Sequence, residues 1–199
     1  MIQLLPAEAA REARLAEIRG KVTFMDLEGV GDTIVYLIEM RSSMGGNRLK
    51  VAKSQLKASL QSLQPNQKFA VIFYNKYRER LRLRRQADQS MYFATDVNKE
   101  LAGHEVDRVN SAPGADHMPA LLQAISLKPD VIYFLTDGDE PELFPAQLAE
   151  IRRLAGSLTI HVVKISNGTP SSRGRDWLER LASQSKGEYR EINVDTLLK

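Results

Sequence analysis

Four short runs of the chain are almost continuously apolar: residues 34–38 (IVYLI), 69–74 (FAVIFY), 131–135 (VIYFL) and 158–165 (LTIHVVKI). β-Branched and aromatic residues in runs this short predict strands buried on both faces. Between the runs the apolar positions change to helical spacing. Leu49, Ala52, Leu56 and Leu60 mark a helix that runs to about 63 and ends before Pro65. Thr95 opens a second helix over 96–109, and a third covers about 118–127, stopped by Pro129. A fourth covers about 141–155, with Leu143, Leu148, Ile151 and Leu154 as its apolar positions. A fifth covers 176–186, with Trp177, Leu178 and Leu181 inward and Gly187 as its stop.

Buried strands alternating with helices of this length predict an α/β fold. The expected architecture is Rossmann-like and doubly wound, with a mostly parallel sheet of about six strands and helices on both faces. Two outer segments complete it: a strand over 22–27, followed by a turn at 29–32, and a last strand over 188–194. Residues 78–84 (RERLRLR) alternate differently. Arg78, Arg80, Arg82 and Arg84 fall on one face and Leu81 and Leu83 on the other, which predicts an antiparallel edge strand. Nine side chains are expected in the core: Ile34, Tyr36, Ile38, Val71, Phe73, Ile132, Phe134, Ile160 and Val162. Residues 6–19, rich in Ala, Glu and Arg, predict a helix between Pro6 and Gly20. The division expected is a helix or linker over 1–20 and one domain over 21–199, with an upstream region possible.

Composition narrows the function classes. With 43% hydrophobic and 27% charged residues over 199 positions, the chain can build one real core. It has no cysteine, which excludes disulfides and thiolate metal sites. It has no apolar run of bilayer length and no signal-peptide pattern at its start, so membrane insertion is not expected and a cytoplasmic location is the default. A net charge of +3 does not by itself imply nucleic acid. The arginines of 78–84 have two readings. They are charges that keep an edge strand from aggregating, or a surface for an acidic partner or nucleic acid.

The candidate chemistry lies where buried strands stop on carboxylates. The run 34–38 ends on Glu39, followed by Met40, Arg41, Ser42 and Ser43 and then Gly45 and Gly46. The run 131–135 ends on Thr136, Asp137, Gly138 and Asp139. In an open parallel sheet ligands bind at the carboxyl ends of the strands, next to helix N-termini. No phosphate-binding Gly-x-x-x-x-Gly-Lys-Ser/Thr loop and no Gly-x-Ser-x-Gly elbow is present, and the three histidines do not cluster. Asp137 and Asp139 have the spacing of a doubly wound phosphoesterase, but the first loop lacks the matching aspartate. An enzyme is not expected.

As a set these loops resemble the von Willebrand factor type A (VWA) family. Its first loop, Asp-x-Ser-x-Ser, is matched by Glu39-Met40-Arg41-Ser42-Ser43, and Met44-Gly45-Gly46-Asn47-Arg48-Leu49 also looks like the family. Its second loop, Gly-Gly-Thr-Asp, is matched by Pro113-Gly114-Ala115-Asp116, and its third by Thr136-Asp137-Gly138. The resemblance covers about 33–194. It implies a protein-interaction module whose ligand face is the sheet-top loops, with Asp116 and Asp139 on that face and an unidentified protein partner. It also implies a metal-ion-dependent adhesion site at Glu39, Arg41, Ser43, Ala115 and Asp137. Two of the family's three hydroxyls are replaced, by Arg41 and Ala115, and Glu39 is one methylene longer than the family's aspartate. No cofactor is therefore expected. If Mg²⁺ bound at all, Glu39, Ser43 and Asp137 would hold it. Arg41 then either pairs with Glu39 and Asp137 in the ion's place or points to solvent.

Overall fold

The computed structural model describes residues 20–84, 87–139, 141–168, 172 and 174–197. It opens with β1 (Lys21–Phe24) and β2 (Leu27–Val30), which pair with each other as a small antiparallel ribbon. The single strand expected over 22–27 is thus two. The chain reverses at Met25 and Asp26, whose φ values are +50° and +60°. Positive φ at both central residues is the tight hairpin geometry whose twist matches that of its flanking strands. This turn lacks the glycine or asparagine that would announce it in sequence.

The central strand β3 (Thr33–Glu39) follows, then a 3₁₀ turn (Ser42–Met44) and helix α1 (Asn47–Ser62). Next come β4 (Lys68–Tyr74), β5 (Arg78–Arg80) and β6 (Tyr92–Phe93). Helices α2 (Asp96–Arg108) and α3 (His117–Ser126) lead to β7 (Val131–Thr136). The chain closes with α4 (Pro145–Ala155), β8 (Thr159–Ser166), α5 (Arg175–Gln184), β9 (Tyr189–Asn193) and a short α6 (Val194–Leu197). The main sheet has seven strands in the order β5-β4-β3-β7-β8-β9, with β6 also on β4. Five of them run parallel, and β5 and β6 lie antiparallel to β4. The edge therefore carries two short antiparallel strands instead of one strand over 78–84. Regular pairing stops at Arg80, but the alternation continues: Leu81 and Leu83 are buried while Arg82 and Arg84 are exposed.

All nine expected core residues are at most 3% exposed. Alternate residues of the central strands feed two cores. Ile34, Tyr36, Ile38, Val71 and Phe73 face α1, α2 and the ribbon, while Val35, Leu37, Ile132 and Phe134 face α3, α4 and α5. The ribbon is fastened by aromatic groups. Phe24 meets Tyr36 and Tyr133 edge-on at 5.5 Å, and the Tyr133 hydroxyl donates to the carbonyls of Val22 at 2.8 Å and Leu27 at 3.2 Å. A buried phenol has its apolar area in the core and its hydroxyl satisfied, which is why a tyrosine serves here. Helix α2 starts as expected, with Thr95 Oγ1 accepting from the Asn98 amide at 3.3 Å. Helix α4 starts at Pro145, not 141. Pro145 takes the first helical position, and Gln147 Oε1 accepts from the Phe144 amide at 2.9 Å. The helix expected over 6–19 lies outside the described residues. Among the described residues no helix is long and apolar enough to cross a membrane.

Candidate functional site

The carboxyl ends of β3 and β7 lie side by side, since Ile38 registers with Leu135. Glu39 and Asp137 therefore meet at the top of the sheet, both buried, at 0% and 5% exposure. They do different things. Glu39 reaches across to β7: Thr136 Oγ1 donates to its Oε2 at 2.6 Å, and the Asp137 amide donates to the same oxygen at 3.1 Å. The Thr136 hydroxyl accepts from the Gly138 amide at 3.0 Å, so glutamate, threonine and backbone form one chain of bonds. The other Glu39 oxygen, Oε1, is buried without a hydrogen-bond partner. Burial, and then repulsion from Asp137, pushes the Glu39 carboxyl up to about 8. At neutral pH it is mainly a protonated brace between strands.

Asp137 is the charged centre. Its Oδ2 accepts from Ser43 Oγ and from Arg48 Nη1, the latter at 3.3 Å, and its Oδ1 accepts from the Asp139 amide at 3.1 Å. Arg48 also donates to the Ser43 carbonyl at 3.1 Å and, through Nη2, to Asn167 Oδ1 at 2.6 Å. One guanidinium thus ties together the loops after β3, β7 and β8. The sequence pattern does not single out this residue. A signal was present: Arg48 is the second residue of α1, where the helix dipole disfavours a cation unless an anion compensates it. Arg41, partly buried before the 3₁₀ turn, acts on Glu39 through its field, as the last of five influences.

The loop that brings Asp137 here depends on glycine. Gly138 has φ +75°, and a Cβ there would lie 3.2 Å from Leu178 Cδ1 and 3.3 Å from Lys164 Cε. A Cβ on Gly174 would fall 1.9 Å from the Gly138 carbonyl oxygen, so the start of α5 is pressed onto this loop.

The second loop arrives from α2 and is pinned to the first by the Ala112 amide donating to the Met40 carbonyl at 2.8 Å. Ala115 and Asp116 are partly buried, and Asp116 makes no side-chain cap to α3. Its neighbour His117 is fully buried, with Nδ1 at 2.9 Å from the Tyr74 hydroxyl and Nε2 at 3.4 Å from the Asp139 carbonyl. Burial holds this histidine below its ordinary value. It packs against Trp177 at 5.2 Å with the two rings tilted by 36°, and joins β4, α3 and the third loop from inside. His104, by contrast, is exposed on α2.

The donor set is a poor fit to Mg²⁺, which demands near-octahedral oxygen ligands at about 2.0–2.1 Å. Positions 41 and 115 bring no hydroxyl, Glu39 is held mainly protonated, and both Asp137 oxygens already accept bonds. Among the described residues no group of three or more His, Asp or Glu side chains is placed to hold a metal ion.

The arginines of the edge stand apart from this site. Arg80 pairs with Asp88 at 2.8 Å, Arg82 with the same carboxylate at 3.6 Å, and Arg84 with Glu105 at 3.1 Å.

The fold of the chain is the VWA fold. A von Willebrand factor type A structure from Catenulispora acidiphila superposes with a TM-score of 0.70 at 21% identity, covering 86% of this chain and 41% of that one. BatB, a conserved hypothetical protein from Bacteroides thetaiotaomicron, superposes at 0.64 with 15% identity, covering 82% of this chain and 91% of that one. The pilus adhesin SpaC from Lactobacillus rhamnosus GG gives 0.63 with 13% identity, covering 90% of this chain and 30% of that one. In sequence the chain is 25% identical over 187 residues to inter-alpha-trypsin inhibitor heavy chain H2 of Mus musculus, covering 86% of this chain and 19% of that protein's length. No protein-family model matches it.

Proposed function

We propose that this chain is a non-catalytic protein-interaction module of the VWA type, and that its ligand face is set by an internal guanidinium instead of a metal ion. The observation that carries the reading is Arg48, which occupies Asp137 while also holding Ser43 and Asn167. A permanent cation fixed by three loops preorganises the sheet top without an ion. The face around it offers Asp116 and Asp139, both partly buried, and the exposed Phe144. An aromatic side chain beside charged groups is the composition of an interface anchor. The altered first and second loops favour binding without Mg²⁺. The adhesin among the structural relatives agrees with an interaction role.

The experiment is capture of partners from the host's own extract on the immobilised chain, with Mg²⁺ and with EDTA. Capture should be equal in the two conditions and lost when Asp116 and Asp139 are both changed to lysine. Capture that needs Mg²⁺ would defeat the internal-cation reading. Capture that survives the lysines would defeat the sheet-top face.

A further inference from the structure

A cleft of about 1150 Å³ opens beside the sheet edge. One wall is the segment from Asn75 to Arg82, and the other is the segment from Glu105 to Pro113. Its lining includes Met40, Phe73 and Leu81, all buried in the protein, with Val109 partly buried beside them. Five cations line it, Lys76, Arg78, Arg80, Arg82 and Arg108, against two acids, Glu79 and Glu105. Glu105 is already held by Arg84 at 3.1 Å and Arg108 at 3.2 Å. Among the described residues Lys76 and Arg78 have no ion-pair partner, and both are exposed. Tyr77, 67% exposed, stands between them.

We propose that this cleft binds an extended acidic segment of a partner protein, with an apolar side chain seated beside Val109 and carboxylates on Lys76, Arg78 and Arg108. Three observations select this occupant. The surplus of positive charge asks for an anion. The apolar lining asks for a side chain and not a phosphate. The arginines of this edge already bind a carboxylate in two-to-one fashion, since Arg80 and Arg82 converge on Asp88. A nucleic acid is the poorer match. Glu79 lies among the cations, and Tyr77 alone supplies no succession of stacking aromatics. The cleft goes beyond the sheet-top reading, because none of Asp116, Asp137 and Asp139 lines it.

The test is fluorescence anisotropy of the full chain with a labelled decapeptide, Asp-Glu-Asp-Glu-Leu-Phe-Glu-Asp-Glu-Asp. Controls are the same peptide with every acid made an amide, the same peptide with Leu-Phe replaced by Ser-Ser, and a ten-residue oligothymidylate. The acidic peptide should bind, and each peptide control should bind at least about fivefold more weakly. The double variant Lys76→Glu, Arg78→Glu should lose roughly tenfold in affinity while keeping its melting temperature, since both side chains are exposed. Labelled Met40 and its neighbours should shift in NMR spectra on peptide addition. Asp116→Asn with Asp139→Asn should leave the affinity unchanged. No binding at low salt, binding indifferent to the double variant, or oligothymidylate bound in preference to the peptide would each overturn the inference. Loss of peptide binding in the Asp116/Asp139 variant would place the peptide on the sheet top, which overturns the cleft and leaves the proposed function standing.

Discussion

Arg48 has 18% of its side chain exposed and faces Asp137, whose side chain is 1% exposed. Arg82 has 73% exposed and faces Asp88 at 45%. The same ion pair in these two places is a different interaction. Near the surface, water screens the charges and holding two long side chains together offsets much of the attraction, leaving about 0–1 kcal/mol. Inside, the pair replaces lost hydration, and removing one partner strands the other. A guanidinium's role is set by its surroundings and not by how many arginines stand near it. The four edge arginines draw the eye in the sequence, while the one that organises the site stands alone after two glycines.

Arg48→Ala should lower unfolding free energy by about 3 kcal/mol, because Asp137 stays buried without its cation. Arg82→Ala should change it by less than ~0.5 kcal/mol. Urea denaturation of both variants checks the contrast. The double variant Arg48→Ala, Asp137→Asn should recover much of the loss, since the stranded charge goes with its partner. If Arg48→Ala were no more harmful than Arg82→Ala, the internal cation would be a bystander.

A smaller effect concerns Glu39. Its carboxyl titrates near 8 in the folded chain, raised by burial and then by Asp137, against 4.5 for a free carboxyl. The unfolded chain therefore releases this proton first as pH rises. This group's contribution is full below about 4.5, declines between 4.5 and about 8, and is flat above that. The slope from one proton is at most about 1.4 kcal/mol per pH unit. His117 and His161, both lowered by burial, act with the opposite sign, and only below their ordinary 6.5. Glu39→Gln isolates the glutamate. It keeps an oxygen for Thr136 and removes the proton, so its stability should match the native chain near pH 5 and exceed it near pH 8.5. Equal pH slopes in the two chains would mean that Glu39 is ionised in the fold.

The sheet and its core were legible because strands buried on both faces leave unbroken apolar runs, as 34–38 and 131–135 do. The carboxylates closing those runs marked the site for the same reason: in a buried strand a carboxylate is out of place. What was illegible depended on backbone shape or on distant partners. The Met25–Asp26 reversal uses positive φ without glycine, so Val22 to Leu27 reads as one strand. The edge reads as one long strand because alternation outlasts regular strand pairing: Leu81 and Leu83 stay buried after β5 ends at Arg80. Pro141 drew the start of α4 forward, although Pro145 is the proline at its first position. The side-chain partners of Arg48 are 89 and 119 residues away, and the local signal, a cation in the first turn of a helix, asks for an anion without saying which one.

Divalent ions should leave the stability of the chain unchanged. An ion bound a hundredfold above its dissociation constant would stabilise the fold by about 2.7 kcal/mol, well within reach of a thermal melt. A divalent ion about 4 Å from a guanidinium is opposed by roughly 8 kcal/mol at an effective dielectric of 20. Arg48 already pairs with Asp137, and positions 41 and 115 supply no hydroxyl, so the groups present offset only part of that repulsion. The native chain should therefore melt at the same temperature in millimolar Mg²⁺, in millimolar Mn²⁺ and in EDTA. The reverse experiment needs four changes. Glu39→Asp, Arg41→Ser and Ala115→Thr install the carboxylate and hydroxyls that the Asp-x-Ser-x-Ser and Gly-Gly-Thr-Asp loops carry, and Arg48→Gln withdraws the cation while keeping a donor for Asn167. That variant should gain a Mg²⁺-dependent rise in melting temperature, and the first three changes with Arg48 intact should gain much less. A native chain that melts higher with Mg²⁺ would show that an ion and Arg48 share Asp137, and the internal-cation reading would fall. A fourfold variant that folds yet ignores the ion would move the barrier from these side chains to the backbone of the three loops.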